Sequence, residues 1–220
     1  MTKRILLLFL FCVTFIGNAQ SYSEGKIEQF VSDYIKNLQL NKIDTICVYE
    51  SYCVGYVMTF DSSIFDDPEK CTDDQTNSPV YLFWKEKGKT FLSKVNYCYE
   101  YSEIMISNDR FWEIYFSNKD IIENEKFKRF EYESEVNSKK KVYILGVDHT
   151  SHNNFKFIIN NKIIEKRFNN FDLQKDHNSK EININYNNNI NLKSKSIIEL
   201  LKQITSEAEK NNTFKKIKSR

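Results

Sequence analysis

Asp148, His149 and His152 bring a carboxylate and two imidazoles within five residues of one another, and His177, with Asp172 and Asp176, offers further polar groups to the same set. Such groups can ligate a metal ion or relay a proton, because imidazole titrates near neutral pH and carboxylate oxygens are good ligands and bases. Metallohydrolases usually hold paired histidines at helix spacing with a glutamate between them. Here the spacing is three and falls in a predicted strand-to-strand turn, where polar residues are the default. A hydrolase or metal-binding enzyme built on Asp148, His149, His152 and His177 is therefore the alternative reading, and a non-catalytic binding or envelope-associated domain the preferred one.

Three other groups of residues carry possible chemistry. Asp61, Asp66, Asp67, Glu69, Asp73 and Asp74 crowd one stretch with oxygen ligands suited to calcium, but without the ordered alternation and central glycine of an EF-hand loop. Tyr97, Tyr99 and Tyr101 alternate along a predicted strand and could form a stacking platform for a sugar or an extended peptide, although such rings more often line a core. Cys47, Cys53, Cys71 and Cys98 are an even set downstream of Cys12, which in an exported chain predicts two disulfides. Cys47 and Cys53 lie about 20 Å apart along one strand at 3.3 Å per residue, too far to bond to each other. The favoured pairs are Cys53 with Cys71 and Cys47 with Cys98, with the swapped pairing close behind. A catalytic thiol finds no local base, and zinc sites usually need closer cysteine pairs. The chain shows no glycine-rich phosphate loop, nucleophile elbow or zinc-protease motif, and no cofactor is expected from it.

The elements that would position these residues follow from periodicity. Ile27, Phe30, Val31, Tyr34, Ile35 and Leu38 recur at three- and four-residue steps and predict an amphipathic helix from near Ser23. Alternation predicts a strand over Ile46 to Phe60, then Val80–Trp84 and Thr90–Tyr101 as a hairpin around Gly88. Phe111, Trp112, Tyr115 and Phe116 fit a helix, while Phe130 and Tyr132 alternate with charges. Lys141–Val147, Asn154–Ile159 and Lys162–Phe168 read as strands, the last two joined by an Asn160-Asn161 turn. Ile197, Leu201, Ile204 and Ala208 mark a final helix, with Ser196 and Glu199 as its capping box. The fold class is α+β: an antiparallel sheet with an N-terminal and a C-terminal amphipathic helix packed on it.

The start of the chain concerns address rather than chemistry. Lys3 and Arg4 precede an apolar run from Ile5 to Ile16, and Gly17-Asn18-Ala19 ends in a small residue before Gln20. This is the layout of a secretory signal peptide, too short for a membrane span, which needs about 20 apolar residues. It resembles the leaders of exported proteins from Gram-negative bacteria, and implies a periplasmic or secreted mature chain. No later segment is apolar enough for a transmembrane helix. The expected organisation is a leader over 1–19 and a single domain over 20–220, with a long acidic loop at 61–79 and a basic C-terminal tail. Loss of Lys3 and Arg4 takes the 32 Lys and Arg down to 30, equal to the 30 Asp and Glu. A neutral chain lacks the basic footprint of nucleic-acid binding, which leaves an unknown protein or glycan as the expected partner.

Overall fold

The sheet is organised around its longest strands. The computed structural model describes residues 24–55, 78–96 and 98–219. Helix α1 (Glu24–Leu40) leads into β1 (Thr45–Val54), followed by β2 (Val80–Glu86), β3 (Lys89–Val95), β4 (Tyr99–Tyr101) and β5 (Ile104–Ile106). Two short helices, α2 (Arg110–Ser117) and α3 (Lys119–Asn124), precede a hairpin of β6 (Glu131–Val136) and β7 (Lys139–Ile144). Then come β8 (Thr150–Ile159), β9 (Lys162–Asn169), a 3-10 turn at Phe171–Leu173, and the two-residue strands β10 (Asp176–His177) and β11 (Glu181–Ile182). Helices α4 (Tyr186–Ile190) and α5 (Lys193–Lys210) and strand β12 (Lys216–Ser219) complete the chain. The fold is α+β, and its main sheet is antiparallel in the order β12-β4-β3-β2-β1-β8-β9, with β5 also on β3.

Alternation along β1 divides the core into two clusters. Cys47 and Tyr49 join Phe83, Phe155, Phe157 and Phe168 with Phe111, Trp112 and Tyr115 of α2 and Ile197, Leu201, Ile204 and Ala208 of α5. Ile46 and Val48 join Leu82, Trp84, Val95 and Ile158 with Ile27 and Leu38 of α1. Rings interlock in the first cluster: Tyr115 and Phe157 have centroids 4.3 Å apart, and Phe83 meets Phe111 edge-on at 5.2 Å. Such aromatic pairs add roughly 0.5–1.5 kcal/mol each beyond the area they bury.

Tight turns set the hairpins. Lys87-Gly88, Asn137-Ser138, Asn160-Asn161 and Asn178-Ser179 all have positive φ at both residues, the signature of the type I′ turn whose twist matches that of paired strands. The Gly88 and Asn160-Asn161 hairpins stand where the sequence placed them.

Three elements depart from expectation. The strand predicted over Thr90–Tyr101 breaks, because Asn96 Oδ1 accepts the backbone N–H groups of Cys98 and Tyr99 at 3.0 and 2.8 Å and turns the chain back on itself. The final helix begins at Lys193, ahead of Ser196. Its first N–H groups, on Lys193 and Ser194, donate to the Glu125 carboxylate at 3.0 and 2.7 Å, a cap from 68 residues away in place of a local box. The basic tail pairs with β4 as β12, and Phe214 packs against Tyr81 and Tyr101.

The segment before α5 inverts the usual pattern. Asn183, Asn185 and Asn189 are buried while Ile182 and Ile184 face outward. Asn189 accepts from Lys128 N and donates to Lys128 O and Asp172 O, Asn183 donates to the carbonyls of Asp172 and Gln174, and Asn185 donates to Arg129 O and Glu131. Together they tie the 3-10 turn to the irregular stretch leading into β6. Asp172 Oδ1 completes the network by accepting Phe130 N–H at 2.7 Å. Burial raises the Asp172 pKa, opposed by that N–H and by the charges of Arg129 and His152.

Asn189→Ala should cost about 1–3 kcal/mol, measured by urea unfolding, because it strips the Lys128 N–H and C=O of their partner and leaves Asp172 O with Asn183 alone. Asp172→Asn keeps the acceptor for Phe130 and removes the charge. A native pKa above the unfolded value means that the native state holds the proton more tightly, so stability contributed by Asp172 is present at low pH. It is lost as pH rises above about 4 through the folded pKa. Asp172→Asn should flatten that fall and unfold at equal or higher denaturant at pH 7.

Candidate functional site

The candidate site lies where β1 outruns β2. Pairing of β1 with β2 ends at Glu50 opposite Val80, whereas pairing with β8 continues to Val54 opposite Thr150. The face of β1 that carries Ile46 and Val48 under α1 continues as Glu50 and Tyr52. Register sets Glu50 opposite Asn154, Tyr52 opposite His152, and Asn154 opposite Arg167 of β9. The hydrophobic side chains clustered with α1 stop at Val48, Val80 and Ile158, so beyond them the sheet face turns from apolar to polar.

Five side chains make up this polar end. The Tyr52 and His152 rings stack with centroids 5.2 Å apart and planes 13° from parallel. Asn154 Nδ2 donates to Glu50 Oε1 at 2.8 Å and approaches the Tyr52 hydroxyl at 3.4 Å. Its other polar atom, Oδ1, is buried and accepts no hydrogen bond among the described residues. Arg167 is exposed and bonded through Nε to Glu165 at 2.7 Å. That hydrogen bond, followed by the Glu165 charge and smaller contributions from Tyr52 and Glu50, raises the Arg167 pKa above its ordinary value. Together the five offer stacked rings, a carboxylate, an amide and a guanidinium, which suits recognition of a ligand rich in hydroxyl or amide groups.

The residues singled out in the sequence are dispersed. His152 stands in the platform just described, and His149 lies beside Gly55 at the end of β1. A Cβ on Gly55 would fall 2.0 Å from His149 Nδ1 and 2.6 Å from the Asp148 carbonyl, and its φ of +80° is itself a glycine conformation. His177, in β10, meets Phe171 edge-on at 5.4 Å. Asp148 and His149 are exposed, and among the described residues no three His, Cys, Asp or Glu side chains are grouped to hold a metal ion. Tyr97 and most of the acidic loop 61–79 lie outside the described residues. Tyr99 and Tyr101 do not form an open platform: they meet each other edge-on at 6.5 Å, with Phe214 on Tyr101 and Lys216 Nζ 4.0 Å from the Tyr99 ring centre. The reversal at Asn96 carries Tyr101 to the Lys94 face of the sheet, where the C-terminal segment covers it.

The expected disulfides are also corrected. Cys47 and Cys53 are both free thiols, so Cys47–Cys98, Cys53–Cys71 and the swapped pairs are not formed. Cys47 sits in the sheet interior opposite Phe83 and Phe157, and burial pushes its thiol pKa up. Strands β2 and β3 separate β1 from β4, and at about 4.8 Å per strand this puts Cys47 beyond the Cα limit of ~7 Å for a bridge to Cys98. Cys53 is exposed at the end of β1, opposite Ser151. Cys98, buried just before β4, is disulfide-bonded.

Glu50, Tyr52, Asn154 and Arg167 were absent from the sequence-derived candidates. Their only signal was an interruption of apolar alternation by Glu50 in β1, which acquires meaning only once β8 and β9 are aligned beside it. Compared with known protein families, curated proteins and solved structures, the chain has no match. Among the described residues no helix is long and apolar enough to cross a membrane.

The thiols should separate by accessibility. Iodoacetamide is expected to modify Cys53 in the native protein, Cys47 at least about a hundredfold more slowly, and Cys98 only after reduction, as read by peptide mass mapping. An unreactive native Cys53 would contradict this assignment.

Proposed function

We propose that the chain is an exported, non-catalytic binding domain that recognises a hydroxyl-rich ligand of the glycan class at Glu50, Tyr52, His152, Asn154 and Arg167. In this reading α5 backs the sheet from the opposite face, α1 covers the apolar part of the same face, and the polar end of β1, β8 and β9 beyond α1 forms the ligand face. The observation that carries the proposal is the Tyr52–His152 ring stack, set among the Glu50 carboxylate, the Asn154 amide and the exposed Arg167 guanidinium. Aromatic rings flanked by a few polar groups suit a sugar, whose ring has apolar faces and hydroxyl edges. Glu50 Oε1 is anchored by Asn154, and the Arg167 guanidinium, bound to Glu165 through Nε alone, keeps further donors for a ligand.

Two measurements test the proposal. Screening the purified protein against immobilised neutral and acidic oligosaccharides should give binding that Tyr52→Ala weakens at least about tenfold and that is also lowered by Asn154→Leu, which removes the donor that holds the Glu50 carboxylate. Absence of binding to any oligosaccharide, or binding indifferent to both substitutions, would overturn it. For the address, the intact mass of protein recovered from an exporting host should correspond to a chain beginning at Gln20.

A further inference from the structure

The β6–β7 hairpin is built unlike the rest of the molecule. It forms its own two-stranded sheet, and among the described residues β7 pairs with β6 alone, so its outer edge is open. Both strands are largely exposed. The two faces of β7 differ in chemistry. Lys139, Lys141 and Tyr143 alternate on one face, and Lys140, Val142 and Ile144 on the other.

Val142 and Ile144 are 57% and 61% exposed, and Ile182 and Ile184 of the inverted segment are 63% and 47% exposed. The two pairs lie on opposite sides of β6: Ile184 N donates to Glu131 O, and Glu131 stands opposite Ile144. Val142 and Ile144 thus supply the apolar side chains along the open edge. Lys140 reaches Glu133 at 3.6 Å, but Lys139 and Lys141 stand opposite Val136 and Ser134 and make no ion pair among the described residues.

From this charge and polarity pattern we infer that the outer edge of β7 is a docking strand for an extended acidic segment of a partner protein, one that alternates apolar and carboxylate side chains. Added as a third strand, such a segment would satisfy the open N–H and C=O groups of β7. Its apolar residues would lie beside Val142 and Ile144, and its carboxylates beside Lys139 and Lys141, since residues opposite each other in a ladder share a face. Two-fold pairing of β7 with a second copy is disfavoured, because it would bring six lysines onto two adjacent strands that contain no carboxylate.

The test uses the peptide acetyl-EVEVEVE-amide, its lysine counterpart acetyl-KVKVKVK-amide, and hydrogen exchange of the whole protein. The acidic peptide should slow exchange of amides over 139–144 without altering β1 and β8, and the basic peptide should not. Lys139→Glu with Lys141→Glu changes two exposed side chains outside any core, and should weaken the acidic peptide at least about tenfold while admitting the basic one. Binding of the acidic peptide should also weaken as salt is raised. Equal protection by both peptides, no protection by either, or concentration-dependent protection of β7 without peptide would each overturn the inference, the last in favour of self-association.

Discussion

The pairing of β1 with β8 is the constraint on which the remaining structure depends. Ten consecutive residue pairs, from Thr45 opposite Ile159 to Val54 opposite Thr150, fix which side chains meet and which face each occupies. Because side chains alternate with a period of two, a slip of one residue would exchange Cys47, Tyr49, Phe155 and Phe157 with Ile46, Val48, Asn154 and Ile158. That exchange would put Asn154 and Lys156 under α2 and α5 and unpack the ring cluster. The same register that builds the core places Glu50, Tyr52, His152 and Asn154 together beyond it. Core and candidate site are consequences of a single alignment.

A second layer of order comes from polar groups inside the fold. Asn183 bonds the nearby carbonyls of Asp172 and Gln174, while Asn185 and Asn189 reach the backbone of residues more than fifty positions earlier and Glu125 caps α5 across a similar distance. Each of these side chains meets backbone groups that have no partner in regular secondary structure, and with Phe127 packed against Phe168 and Phe130 stacked on Phe171 they order the irregular stretch between α3 and β6. The outward isoleucines follow from this arrangement. Once the asparagines turn inward on a two-residue period, Ile182 and Ile184 must turn out.

Much of the fold was legible in local sequence because it is governed by local rules. The stripes of α1 and α5, the alternation of β1, β8 and β9, and the Asn160-Asn161 turn all depend on residues within one or two turns of each other. The failures share a cause. The break at Asn96, the distant cap of Glu125 and the docking of β12 depend on partners remote in sequence, or on a side chain competing with the ladder for backbone N–H groups. The candidate site was the least legible part. Asp148, His149, His152 and His177 drew notice because they are chemically conspicuous and close in sequence, whereas the platform takes two residues from β1, two from β8 and one from β9.

The sequence by itself determined the α+β class, the two amphipathic helices and the hairpins at Gly88 and Asn160-Asn161, because periodicity and turn chemistry are properties of short stretches. Only the tertiary structure decided that Cys47 and Cys53 are free thiols, that Tyr101 lies beneath the C-terminal segment, and that Tyr52, His152 and Asn154 share one polar face. These outcomes depend on strand order and register, which bring together residues about a hundred positions apart. No local pattern encodes them, since the same alternation is compatible with many alignments of strands until the core selects one.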